Sequence, residues 1–121
     1  MTLFRQGDFD AHVQSLAGTT LSDQWGSRVA KVGDKVFAVL NIDGDATRIS
    51  LKCTEDSFEI LTALDGIEQA PYFAKRKWLA ISSSADLPAD DLRYYFQRSY
   101  DLVAAGLTKK LRAQLKITPS S

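Results

Sequence analysis

The chain has one cysteine, one histidine and three prolines in 121 residues, and its formal net charge is zero. A single thiol, Cys53, excludes an internal disulfide and leaves any thiolate metal site short of ligands. With His12 as the lone imidazole, a zinc site would have to rest on carboxylates, and no grouping of them suggests one. No metal and no cofactor is therefore expected. No apolar run approaches the ~20 residues that a membrane-spanning helix needs, and the opening "MTLFRQGDFDAHV" lacks a cationic segment followed by an unbroken apolar one. A cytoplasmic protein with no membrane partner is the expectation. Low-complexity tracts and blocks of like charge are missing too, which argues against disorder.

What is present is ordinary for a soluble globular protein. Hydrophobic residues make up 45% and charged residues 25% of the chain, close to the usual averages, so it can build a core without help. A chain of this length buries roughly two thirds of its unfolded surface. One domain over residues 1–121 is expected, with a monomer the favoured state. The neutral total conceals an asymmetry: residues 1–70 hold six Lys or Arg against eleven Asp or Glu, and residues 71–121 hold nine against four. That imbalance speaks to partners rather than to fold.

Phe9, Val13 and Leu16 recur at helical spacing, with Asp8 as the cap and Gly18 as the stop, and predict a short first helix. "TTLSDQWG" has turn and cap residues without a period and reads as a loop. "RVAKV", "VFAVLNI" and "TRISLKC" then predict three antiparallel strands, reversing at Gly33 and Gly44. In the middle strand Val36, Ala38 and Leu40 alternate with Phe37, Val39 and Asn41, so both faces are apolar and the strand is central. Thr54 caps a second helix lined by Phe58, Leu61 and Leu64 and ended by Gly66. "KWLAIS" is a fourth strand, and a weaker strand signal lies between Ile67 and Tyr72. Pro88 opens a long helix whose stripe is Leu92, Tyr95, Phe96, Ser99, Leu102 and Val103. Gly106 breaks it before the terminal "LTKKLRAQLKI". The fold class is α+β: an antiparallel sheet, a three-strand meander plus one or two strands, covered on one face by helices. The other face is solvated, shielded by the C-terminal segment, or used.

The residues with most to offer a partner are the consecutive cations Lys75, Arg76 and Lys77, next to Trp78. They either contact phosphates, with Trp78 lying against sugar or base, or form the solvated lip of a strand whose Trp78 is core. Arg93, Arg98, Lys109, Lys110, Arg112 and Lys116 extend the cluster if the fold turns them to the same side; otherwise they are the polar faces of amphipathic helices. Lys31, Lys35 and Lys52 lie in the meander, where a lysine either follows a phosphate backbone or keeps a strand edge from pairing. Trp25 closes one end of the core or offers a stacking surface, and Ser99 and Tyr100 are read as structural. Nothing announces catalysis: His12 has no evident nucleophile beside it, and the chain has no Gly-rich phosphate loop. Acidic turn and cap residues account for Asp43, Asp45, Glu55 and Asp56 better than an iron-binding ridge does.

The signatures "QWGSRVAKVGDKVFAVL", "ISLKC", "KRKWLAIS" and "LRYYFQRSYDLV" together resemble the MmcQ/YjbR family of small bacterial proteins, over about Trp25 to Leu107. That family often has Pro or His close after its aromatic-Gly pair, where this chain has Ser27 and Arg28, and it places lysine where Lys35 and Lys52 stand. The resemblance implies a frataxin-like (CyaY-like) fold and the label of a double-wing DNA-binding protein. The expected function is non-enzymatic, weak and non-specific DNA binding, mainly through phosphates contacted by Lys35, Lys52, Lys75 to Lys77, Trp78, Arg93, Arg98, Lys109, Lys110 and Arg112. The alternative is a module that binds a protein or a small ligand with its open sheet face.

Overall fold

The computed structural model describes residues 2–24, 26–43, 46–70 and 77–117. Its elements run α1 (Gln6–Gln14), β1 (Thr19–Gln24), β2 (Ser27–Val32), β3 (Lys35–Asp43), β4 (Ala46–Lys52), α2 (Glu55–Thr62), β5 (Ile67–Gln69), β6 (Trp78–Ser82), α3 (Ala89–Ala105) and α4 (Lys109–Gln114). The strands form one antiparallel sheet in the order β1-β2-β3-β4-β6-β5. The predicted meander is β2 to β4. Gly33 and Asp34 both take positive φ between the paired residues Val32 and Lys35, which suits the right-handed twist of a two-residue hairpin. The expected reversal at Gly44 lies outside the described residues, as do Trp25, Asp45, Lys75 and Arg76.

Two predicted features are corrected. Thr19–Gln24 is a strand, not a loop, paired without a break to β2 from Thr19 against Val32 to Gln24 against Ser27. As an edge strand it turns only Leu21 onto the main core, so its polar sequence carries no alternation for the eye to find. Phe37 does not share a face with Val39. The β2–β3 register steps from Ala30 opposite Ala38 to Lys31 opposite Val36, a bulge that leaves Phe37 unpaired with β2. Phe37 joins the helix-side core instead, edge to face with Phe96 at 5.8 Å and with Tyr100 at 5.4 Å.

Helix boundaries follow the capping chemistry with small shifts. The Thr54 side chain accepts from the Ser57 amide as predicted, and Thr108 does the same for Leu111 at the start of α4. Asp8 is not the cap of α1: Arg5 occupies that position, and Asp8 in the first turn accepts from the Thr2 amide. Pro88 is the N-cap of α3 rather than its first residue. The buried face of α3 is Leu92, Phe96, Ser99, Tyr100, Val103 and Ala104, leaving Tyr95 and Leu102 half-buried at its margins. Leu107 and Ile117 carry the C-terminal segment into the same helix-side core. There Leu107 and Leu111 press on Gly33, and Leu115 and Ile117 on Gly18; side-chain atoms come within 2.7 Å of where a Gly33 Cβ would sit. That segment therefore packs at one end of the helix side and leaves the second sheet face to itself.

His12 shows what this packing does to a titratable group. Its ring meets Phe96 edge to face at 5.0 Å, and its buried Nε2 has no hydrogen-bond partner among the described residues. Burial, helped by the Arg93 charge, pushes its pKa below the ordinary 6.5. The folded chain thus holds the neutral imidazole, while the unfolded chain binds the proton more readily. The resulting stability is present above the unfolded value and is lost as the pH falls through the folded one. Thermal unfolding from about pH 7.5 down to about pH 5 should show a falling midpoint whose slope is flatter in His12→Phe. Equal slopes in the two proteins would contradict this.

Candidate nucleic-acid interface

Strand pairing decides which cations meet. The β2–β3 hairpin, the C-terminal end of β4 and the N-terminal end of β6 all lie at one end of the sheet. Lys31, opposite Val36, and Lys52, opposite Trp78, both lie on the face turned away from the helices. Their strands are two spacings of about 4.8 Å apart. Lys35 is exposed one step further out at the hairpin tip, beside α4 and its exposed Lys109 and Lys110. Half-buried Arg112 and exposed Lys116 belong to the same end. These residues come to one end of the sheet because a hairpin and a short helix pack on one another there, with Lys31 and Lys52 on the second face and α4 on the helix side.

Three other candidates are placed differently. Lys77 has φ of 53° and turns toward α2, with Nζ 3.9 Å from a Glu55 carboxylate oxygen and 4.9 Å from the Phe58 ring centre. Exposed pairs of this kind contribute about 0–1 kcal/mol, so Lys77 remains available to a stronger anion. Arg93 lies near the start of α3, beside Leu3 and Phe4 at the opposite end of the sheet, and pairs with Asp90. Arg98 is half-buried midway along α3. Lys75 and Arg76 lie outside the described residues.

Trp78 is 4% exposed and packs with Ala70, Ala80 and Val36 in a small cluster on the second face, separate from the main core. It is a core residue of that face rather than a stacking surface. Around the cluster the second face carries Lys31, Arg48 and Lys52 with Thr20, Ser22, Ser27, Asn41, Ser50 and Ser82, and Glu68 on the β5 edge. Arg48 was missed by the sequence reading. The signal was present: Arg48, Ser50 and Lys52 alternate with Ile49 and Leu51 in "TRISLKC", which assigns all three to one face.

Burial drives the Cys53 thiol up to about 11 despite the opposing charge of Lys77, and its Sγ donates to the Lys77 carbonyl. Such a thiol is a poor nucleophile at neutral pH. Among the described residues no group of three or more His, Cys, Asp or Glu side chains converges on a metal-sized site, and no helix is long and apolar enough to cross a membrane.

Comparison with known proteins agrees with this architecture. The family model described as YjbR matches residues 14–102. Among solved structures, the Deinococcus radiodurans protein DR2400, which carries a DUF419 domain, superposes with a TM-score of 0.84 at 25% identity, covering 95% of this chain and 90% of its own. A Pseudomonas syringae protein superposes with a TM-score of 0.67 at 22% identity, covering 82% of this chain and 98% of its own, and shows the fold alone. No curated protein matches the chain.

Proposed function

The chain belongs to the YjbR family, and from that premise we propose that it binds duplex DNA weakly and without sequence preference, as a non-catalytic protein. The contacts are to phosphates, made by Lys31, Lys35 and Lys52 and extended by Lys109 and Lys110 of α4. The observation that supports this reading is the meeting of these lysines at one end of the sheet. Phosphate neutralisation supplies most non-specific affinity, and lysine ammoniums on flexible stems need no fixed base geometry to provide it. At the other end the arginines are already engaged, Arg28 by Asp10 and Asp23 and Arg93 by Asp90. A duplex would therefore meet the protein lysine end first. An apolar contact surface for a protein or small ligand on the second face is less well supported, because Trp78, Ala80 and Ala70 are already buried there.

The test is fluorescence anisotropy of a labelled random-sequence duplex at low and at physiological salt. Binding is expected at low salt only, and changing Lys31 and Lys52 together to Ala should weaken it about tenfold or more. A duplex ignored at low salt would overturn the proposal.

A further inference from the structure

At the end of the sheet away from the lysines a cleft of about 210 Å³ opens between the start of α1, the β1–β2 turn and the end of β3. Its wall includes Gln6, Asp23, Gly26, Arg28, Leu40 and Ile42. The volume is below the ~300 Å³ at which drug-sized sites begin, so a nucleotide is excluded and a metabolite of a few heavy atoms is not. Its apolar side is Ile42, 53% exposed, with Leu40 buried behind it in the core.

The polar side is built around Arg28. Asp10 holds its guanidinium side-on, Nε to Oδ1 and Nη2 to Oδ2 both at 3.0 Å, with each side chain about one-fifth exposed. Asp23 takes Nη1 at 3.2 Å from a side chain that is 76% exposed. The two carboxylates differ in role. The Asp10 pair is bidentate and fixes the plane of the guanidinium, as a supporting group does for a binding arginine. The Asp23 pair is a surface contact of little net worth, which a ligand can replace cheaply.

Charge selects the replacement. Arg28 and Asp23 are the charged residues of the wall, and Asp10 behind Arg28 makes the triad net negative, so a simple anion would have to work against Asp10 and Asp23 together. A simple cation would find Asp23 already engaged. A molecule carrying both charges exchanges the Asp23–Arg28 pair for two pairs of its own, carboxylate to Nη1 and ammonium to Asp23, without changing the net charge. We propose that this cleft binds a free α-amino acid with an aliphatic side chain, its carboxylate on Arg28, its ammonium on Asp23 and its side chain on Ile42. The site lies at the end of the sheet away from the lysines and is independent of DNA binding.

An amide-resolved NMR titration with L-leucine tests it, alongside N-acetyl-leucine, which lacks the ammonium, and leucinamide, which lacks the carboxylate. Leucine should shift the amides of Gly26, Ser27, Arg28 and Ile42, and each blocked analogue should bind about tenfold more weakly, as expected for loss of one charge-assisted contact. Asp23→Asn, at an exposed position that leaves the Asp10–Arg28 pair in place, should lower leucine affinity by a similar factor and make leucine and N-acetyl-leucine nearly equal. The proposal is overturned by the absence of shifts up to about 10 mM leucine, a concentration well past weak binding. It is equally overturned by shifts that map elsewhere, or by blocked analogues that bind as well as leucine to the unmodified protein.

Discussion

Phe96→Ala should destabilise the protein by about 3–5 kcal/mol, the usual cost of emptying a fully buried aromatic site. Phe96 has no exposed surface and is met edge to face by Phe9 at 5.7 Å, Phe37 at 5.8 Å and His12 at 5.0 Å. These three rings come from α1 and β3, so one side chain of α3 ties a helix and the sheet together. Rigid rings on separate elements cannot slide into the vacancy together, which puts the cost toward the upper end of the range. With total stabilities of about 5–15 kcal/mol, the variant would lose a large part of its folding free energy. Urea unfolding measures it directly: the midpoint should drop sharply with little change in slope, and Phe96→Leu should recover part of the loss. A shift below about 1 kcal/mol would mean that the ring cluster is not what joins α1 to the sheet.

Ser99→Ala should cost about 2–4 kcal/mol, far more than removing one hydroxyl from a surface helix, because it leaves two buried backbone groups without a partner. The bulge at Phe37 is the reason. The β3–β4 pairing runs from Asp43 and Ala46 to Ala38 and Leu51 and stops there, one residue short of Phe37 and Lys52. Ser99, fully buried on α3, fills the gap: its Oγ donates to the Phe37 carbonyl at 2.5 Å and accepts from the Lys52 amide at 2.9 Å. Its neighbour Tyr100 donates to the Ala17 carbonyl at 2.5 Å and ties the turn after α1 to the same helix. Hydrogen exchange separates this account from a plain packing loss, since the Lys52 amide should exchange faster in Ser99→Ala by more than its neighbours do. If all core amides accelerate equally, the bridge has no special role. The same bond fixes the end of the strand that carries Lys52, and so links the core to the proposed interface.

Much of this architecture was legible because local chemistry and tertiary structure agree. The Thr54 cap, the Gly33 reversal and the stripe through Leu92, Phe96, Ser99 and Val103 each report a local physical requirement, and each falls where the sequence puts it. β1 was illegible because an edge strand need not alternate, and "TTLSDQ" is made a strand by β2 beside it rather than by its own propensities. The bulge at Phe37 follows from how β2 and β3 register around a tight hairpin, which no property of Phe37 announces. For the candidate site, residue types were readable and their grouping was not. Lys52 and Lys109 are far apart in the chain and come to one end of the sheet through the topology, while Arg93 goes to the other end although α3 also carries Ser99 to the first. The Asp10–Arg28 pair left no trace at all, since a strand's opening arginine and a helix's aspartate share no motif.

The central claim is that the lysine end of the sheet, and not charge in general, holds a phosphate backbone. The salt dependence of duplex affinity tests it most directly, measured as the slope of log K against log salt concentration for the unmodified protein, for Lys31→Ala/Lys35→Ala/Lys52→Ala, and for the far-end pair Arg5→Ala/Arg93→Ala. Each phosphate contact contributes about 0.9 to that slope, so the lysine triple should flatten it by roughly 2–3 while the far-end pair leaves it nearly unchanged. Equal flattening by both variants, or a slope that neither alters, would contradict the account.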